Sequence, residues 1–230
     1  MIKNEKELAQ MIDQTLLKPF ASHDDLRKHC ETAMAYGFKT VAVNNAVVGF
    51  CRGVLGTSAV LCDAAVSFPL GQCTIETKVF ETLDVIGKGA GEVDYVVNIG
   101  EVKSGNWTYI RNEMTEIVAA CHACHIPCKV IFENCYLNED EKKKLCETAL
   151  IVKPDFIKTS TGFGTGGATV EDVRLMKACV GDSIKIKAAG GIRDFKTASA
   201  MIDAGASRIG TSAGPKIIED YRQLAGGRKN

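Results

Sequence analysis

The chain has no excess of charge of either sign. Lys and Arg together number 28, as do Asp and Glu, so nothing in the bulk charge favours nucleic acid or an anionic membrane as a partner. The opening stretch, MIKNEKELAQMIDQ, lacks the apolar core of a secretory leader, and no apolar run approaches the length of a membrane span. Linkers, low-complexity stretches and internal repeats are also missing. So is a dinucleotide fingerprint: the glycine-rich GFGTGGA at 162–168 has neither the spacing nor the position for one. Ten cysteines are present, but they fall within apolar runs, as at Cys62, Cys146 and Cys179. That pattern fits reduced, buried thiols and an expected cytoplasmic location better than a disulfide framework.

At 230 residues, 46% hydrophobic and 24% charged, the chain is of ordinary globular composition and long enough for one large core. Strand and helix signals alternate along its whole length. Strand-like runs occur at 12–16, 39–44, 59–68, 93–99, 128–134, 155–160, 184–189 and 207–212. Helical patterns fill the gaps at about 22–37, 46–55, 74–88, 107–125, 139–152, 170–180, 194–204 and 215–225. Short, apolar, β-branched strands between amphipathic helices indicate a parallel sheet. Eight such units predict one α/β domain over 1–230, a single (β/α)8 TIM barrel. An open doubly wound sheet is the alternative.

In a barrel of this kind the chemistry sits at the C-terminal ends of the strands. Four charges stand inside four successive strand runs: Asp94 in VDYVVN, Lys129 in CKVIF, Lys158 in FIKTSTG and Lys187 in IKIKAAGG. Any one of these lysines alone reads as a strand-end residue reaching solvent, because lysine is rarely buried. Four together, with a carboxylate among them, read as a cluster in the barrel mouth. Lys185 shares a face with Lys187, and the pattern alone does not choose between them. Two close ammonium groups lower the pKa of one, giving a usable amine nucleophile, and a nearby carboxylate can move protons. This combination suits Schiff-base chemistry on a carbonyl and calls for neither metal nor organic cofactor.

Glycines end the last three strands: TSTG through Gly162, AGGIR with Gly190 and Gly191, and GTSAG with Gly210 followed by Ser212. They let the backbone approach an anion, and Ser212 precedes the last helix, whose N-terminus favours a phosphate. A small phosphorylated substrate is therefore expected. The segment CHACHIPC at 121–128 is a competing candidate metal site. It lacks the paired Cys-x-x-Cys elements of a zinc module, so packing and surface positions are expected for it.

FIKTSTG followed by KAAGGIR, together with IDQTLL, SFPLG, EVDYVVNIG and RIGTSAG, resembles the deoxyribose-phosphate aldolases along nearly the whole chain. The resemblance implies that Lys158 is the Schiff-base lysine, that Lys187 rather than Lys185 tunes it, and that Asp94 relays protons. It implies a phosphate cradle of Gly162, Gly190, Gly191 and Ser212, and it places Asp13 and Thr15 near the substrate; Gly210, from the glycine segments, and Lys129, from the charged strands, are further substrate-binding candidates. It further suggests a homodimer. The chain departs from the family pattern at Ala42, at Asn44–Asn45, at Phe163 where some members carry lysine, and at Ala213 where a second serine is usual. Two other readings remain. One is a different phosphate-binding barrel aldolase or isomerase, with Glu133 as its base. The other is a phosphosugar-binding protein without activity.

Overall fold

A computed structural model describes residues 2–226, so the outermost ends of the domain expected over 1–230 lie outside the described residues. Eight parallel strands close into a barrel in sequence order: β1 (Ile12–Leu16), β2 (Thr40–Asn44), β3 (Leu61–Val66), β4 (Glu92–Val96), β5 (Cys128–Ile131), β6 (Phe156–Lys158), β7 (Lys185–Ala189) and β8 (Arg208–Thr211). The last strand pairs with the first through Ile12↔Ile209 and Asp13↔Gly210, which rules out the open sheet.

Helices fill the connections: α1 (Glu5–Ala9), α2 (His23–Tyr36), α3 (Val48–Leu55), α4 (Ile75–Gly87), α5 (Ile99–Lys103), α6 (Trp107–Ala123), α7 (Glu139–Val152), α8 (Val170–Val180), α9 (Phe195–Asp203) and α10 (Gly214–Gly226). The short α1 and α5 were not expected. Each has only five residues, too few to show a helical period, and each relies on an asparagine cap, Asn4 or Asn98. The expected start and stop of α2 are both present. Ser22 and Asp25 form a reciprocal capping box, and Gly37 ends the helix at φ +64°.

The period of two along each strand divides the molecule into two interiors. One set of residues faces the helices: Val41, Val43, Cys62, Val93, Tyr95, Val130, Ile157, Ile186 and Ile209, all at most 1% exposed, join the apolar core between barrel and helices. The alternate set faces the barrel axis and mixes charged residues with apolar ones such as Val96, Ile131 and Phe156. Bulky branched residues usually fill that space. Here it holds charges, and they position the site.

Candidate active site

Seven of the eight strands send a charged side chain into the barrel: Asp13 from β1, Asp63 from β3, Glu92 and Asp94 from β4, Lys129 from β5, Lys158 from β6, Lys187 from β7 and Arg208 from β8. Four acids meet four bases, and all eight are buried. A lone charge here would cost several kcal/mol, roughly, so each must be paired. Lys129 lies 2.9 Å from Asp63, 2.8 Å from Glu92 and 2.7 Å from Asp94. Lys187 lies 2.6 Å from Asp13, 2.9 Å from Asp63 and 2.7 Å from Asp94. Arg208 closes the lower end, 2.7 Å from Asp13 and 2.8 Å from Glu92. Asp13 Oδ2 and Asp63 Oδ1 are at ion-pair distance but outside hydrogen-bond geometry, so their attraction is Coulombic.

Lys158 tops this network with a single partner. Its Nζ donates to Asp94 Oδ2 at 2.7 Å, and Lys187 donates to the same oxygen at 2.7 Å. Burial pushes the Lys158 ammonium below the ordinary lysine range. The Asp94 carboxylate works against that, and the Lys187 charge adds to it. Lys187 and Lys129 go the other way: burial opposes their charge, but the carboxylates around each outweigh it and hold both firmly protonated. Burial likewise opposes the charge of Asp94, yet Lys129, Lys158 and Lys187 keep its pKa well below the usual carboxylate range. The three lysines therefore differ in kind. Lys129 and Lys187 are held protonated, and Lys158 alone is shifted below the ordinary lysine range.

Lys158 is also the one charge of the network that reaches a cavity. About 230 Å³ of space opens above it, lined by Thr15 to Lys18 at the end of β1, Thr161 to Phe163 after β6, Ala189 to Arg193 at the end of β7 and Gly210 to Ser212 at the end of β8. This is below the ~300–1,000 Å³ of drug-sized pockets and suits a small metabolite. Thr15, Gly162, Gly190, Gly191, Gly210 and Ser212 all line it, as the sequence predicted. Asp13 and Lys129 do not. Both are 0% exposed and sit a layer lower, holding Lys187 and Asp94 rather than facing the cavity. Lys185 is exposed at the start of β7, the opposite end of the barrel.

The loops have specific reasons for their glycines. Gly190 has φ +87°, and a Cβ there would stand 2.9 Å from Gly167 Cα, so the two loops could not lie against each other. Gly191 has φ +80° with open space on its side-chain face. Gly210 serves a different end. A Cβ on it would crowd Ala189 at 2.9 Å and Lys187 Cε at 3.3 Å, so its absence makes room for the lysine. The head of α10 differs from expectation. The Ala213 N–H donates to Thr211 Oγ1, the Gly214 N–H donates to Gln14 Oε1, and Pro215 has no N–H. The leading amides of the helix are thus already engaged, which leaves the exposed Ser212 hydroxyl as the evident side-chain donor of this turn.

Sequence reasoning missed Asp63, Glu92, Arg208 and the two exposed cations on the cavity wall, Lys18 and Arg193. The period of two that marked Asp94 also marks Glu92, and the same face rule reaches Asp63. Glu133 does not line this cavity. It is buried, with its carboxylate accepting from Thr161 N at 3.2 Å and from the Thr161 hydroxyl, so it braces the Thr161–Phe163 loop from behind. In CHACHIPC, Cys121 and Cys128 are buried, His122 pairs with Asp155 at 2.9 Å, and Cys124 is exposed. Its donors do not converge. Among the described residues, the carboxylates of Asp13, Asp63 and Glu92 are the only set close enough to share an ion. Lys129, Lys187 and Arg208 already neutralise them, so the set does not fit a metal.

A profile described as DeoC/LacD family aldolase matches residues 8–220. The chain belongs to that family. It is 55% identical over 213 residues to a deoxyribose-phosphate aldolase from Lactobacillus acidophilus, covering 93% of this chain and 90% of the relative. Among solved structures, an aldolase called QR15 superposes with a TM-score of 0.90 at 38% identity, covering 98% of both chains. A deoxyribose phosphate aldolase from Aeropyrum pernix, described as tetrameric, gives 0.90 at 30% identity over 96% of this chain and 93% of that one. Membership in the DeoC/LacD family agrees with the barrel, a fold that these relatives share.

Proposed function

We propose that this chain reversibly cleaves 2-deoxy-D-ribose 5-phosphate to D-glyceraldehyde 3-phosphate and acetaldehyde through a Schiff base on Lys158. One observation carries the reading: the only network lysine that reaches the cavity is also the one whose surroundings shift it below the ordinary lysine range, toward the neutral amine. Lys158 in that form attacks C1 of the open-chain sugar. The carbinolamine takes a proton on oxygen and loses water, leaving an iminium. As the C3 hydroxyl gives up its proton, the C2–C3 bond breaks and its electron pair moves to C2, forming the enamine. Glyceraldehyde 3-phosphate departs, C2 is protonated, and hydrolysis frees acetaldehyde and restores Lys158.

Asp94 is the group placed to shuttle these protons, because its Oδ2 touches both Lys158 and Lys187. Lys187, held protonated, keeps positive charge beside the nucleophile and a donor within reach of the relay. Thr15, Gly162, Gly190, Gly191, Gly210 and Ser212 are proposed to surround the substrate, with Lys18 and Arg193 supplying positive charge for its phosphate. Asp13 and Lys129 act from below. The barrel is read as one catalytic domain, acting in the cytoplasm as a homodimer; ten free cysteines, six of them buried, are consistent with a reducing compartment.

The test is acetaldehyde release from deoxyribose 5-phosphate, coupled to trapping with borohydride. Mass spectrometry of protein treated with acetaldehyde and borohydride should place the reduced adduct on Lys158. A label on Lys187 would reverse the lysine roles. Turnover without any adduct would exclude the Schiff base altogether.

A further inference from the structure

The turn between β8 and α10 presents Ser212 to the cavity. Part of its support comes from the opposite face of β1. Asp13 and Thr15 point toward the barrel axis, so Gln14 between them points outward, against the head of α10. Its amide is used at both ends. Nε2 donates to the Ser212 carbonyl at 3.3 Å, and Oε1 accepts the Gly214 N–H at 3.1 Å. The two contacts straddle Ser212 and Ala213. Gln14 is 5% exposed and does not line the cavity, so it cannot touch a ligand there.

Two further features show that this contact is built rather than incidental. His29 Nε2 lies 3.0 Å from the Gln14 carbonyl, fixing the backbone from which the side chain projects. Gly214 has no side chain where one would be driven into Gln14 Oε1 and to 2.8 Å from the Phe38 ring. The glycine is what permits the amide to reach the helix head. A side chain that is buried, doubly bonded and given a glycine to approach is a brace for the segment it holds.

We propose that Gln14 is a positioning residue for the anion cradle, setting the preference for phosphorylated over unphosphorylated substrate by holding Ser212 toward the cavity. This rests on the reading of the cavity as a phosphosugar site. Thr211 supports the same turn through the Ala213 N–H and its own bond to the Ile192 carbonyl at 2.7 Å, so the turn stays closed without Gln14 but loses its fixed orientation. The chemistry at Lys158 lies on the inward face of β6 and does not depend on it.

The test uses the full-length protein with Gln14→Met, which keeps the bulk and removes both hydrogen bonds, alongside Ser212→Ala and the double variant. KM and kcat are measured with deoxyribose 5-phosphate and with deoxyribose, and inorganic phosphate is titrated calorimetrically into each protein. Gln14→Met should raise KM for the phosphorylated sugar about fivefold to tenfold and weaken inorganic phosphate by a similar factor. Its kcat should stay within about twofold, KM for deoxyribose should not move, and adding Ser212→Ala should cost little more, because the two residues act as one unit. Equal increases in KM for both sugars, full additivity, or unchanged phosphate binding would each overturn the proposal. If Gln14→Met fails to fold, Gln14→Asn, which keeps the amide but shortens its reach, takes its place with the same expectations. A wild type that binds phosphate but leaves the sugar intact would defeat the proposed reaction, and the phosphate titration would still judge Gln14. A wild type that does not bind phosphate would defeat both.

Discussion

Removing the Lys187 charge isolates its effect on Lys158. Both ammonium nitrogens sit 2.7 Å from one oxygen, Asp94 Oδ2. Two nitrogens so placed lie on the order of 4.5 Å apart, and at an effective dielectric of about 20 two unit charges at that distance repel by about 3.7 kcal/mol. That corresponds to roughly 2.7 pKa units on Lys158. Lys187→Leu removes this repulsion and also frees Asp13, Asp63 and Asp94 from a shared cation, which pulls in the same direction. The acid limb of kcat/KM for deoxyribose 5-phosphate should therefore move up by about 2–3 pH units. The variant should also lose about 3–5 kcal/mol of stability, since three buried carboxylates lose a partner. Rates must then be taken well below its melting temperature. If the rate falls but the acid limb stays where it is in the wild type, burial alone sets the pKa of Lys158, and the tuning role given to Lys187 is wrong.

Asp94→Asn should move the acid limb the opposite way, to lower pH, because the carboxylate that favours the Lys158 ammonium is gone; the rate should also fall by about 10²–10⁴ through loss of the relay. A profile unchanged in position would remove Asp94 from contact with the nucleophile. Gly191→Val places a branched side chain at φ +80° on the open face of the cavity loop, so KM for the phosphorylated sugar should rise at least tenfold more than KM for deoxyribose. Equal effects on both would make the loop merely structural. Lys185→Leu should change kcat/KM by less than about twofold, since that lysine is exposed at the far end of the barrel, and a large loss would show that distance misleads here.

The barrel was legible in the sequence because eight apolar, β-branched strand runs alternate with helical ones, and closure followed from their number. The lysines of the barrel interior were legible because a charge in an apolar strand is conspicuous. Lys129 in CKVIF and Lys158 in FIKTS stand among residues that otherwise pack. Asp63, inside the apolar run LCDAAV, was open to the same reading and was overlooked, whereas Glu92 and Arg208 were harder to see for a physical reason. Glu92 and Arg208 begin their strands, where a charge normally meets solvent, and the sequence places Glu92 before the strand starts. Only closure of the barrel brings Arg208 of β8 beside Asp13 of β1, 195 residues away. The strand pattern alone did not choose between Lys185 and Lys187; the family resemblance did, and the structure supplies the physical reason. Both lie on one strand face, but one ends in solvent and the other under the cavity. Short helices such as α5 left no period to read, and the engaged Gly214 amide at the head of α10 depends on Gln14, a residue 200 positions earlier.

The charges of the barrel interior balance in a way that a stability measurement can check. With Lys158 neutral, Asp13, Asp63, Glu92 and Asp94 face only Lys129, Lys187 and Arg208, an excess of one negative charge. That excess favours a cation at the Lys158 position, which is what an iminium supplies. It also leaves one carboxylate poorly compensated, and the structure points to Asp63. Burial, joined by the repulsion of Asp94, raises its pKa to about 6, against the pull of Lys129 and Lys187. A carboxyl whose pKa is higher in the folded protein than in the unfolded chain stabilises the fold below the unfolded value, near 3.8, and loses that contribution as the pH rises through about 6. Asp13, Glu92 and Asp94, held low, act in the opposite sense but only in more acidic solution. His29, whose burial lowers its pKa, tilts the curve toward stability at higher pH in wild type and variant alike, and so cancels in their difference. Asp63→Asn keeps the shape of the side chain and removes its titration. Between pH 4.5 and 7.5 the stability of wild type minus that of Asp63→Asn should therefore fall by about 2 kcal/mol, measured by urea unfolding at each pH. A difference that is flat across this range would mean that Asp63 stays ionised throughout, and that the network carries its negative excess on a fully charged set of carboxylates.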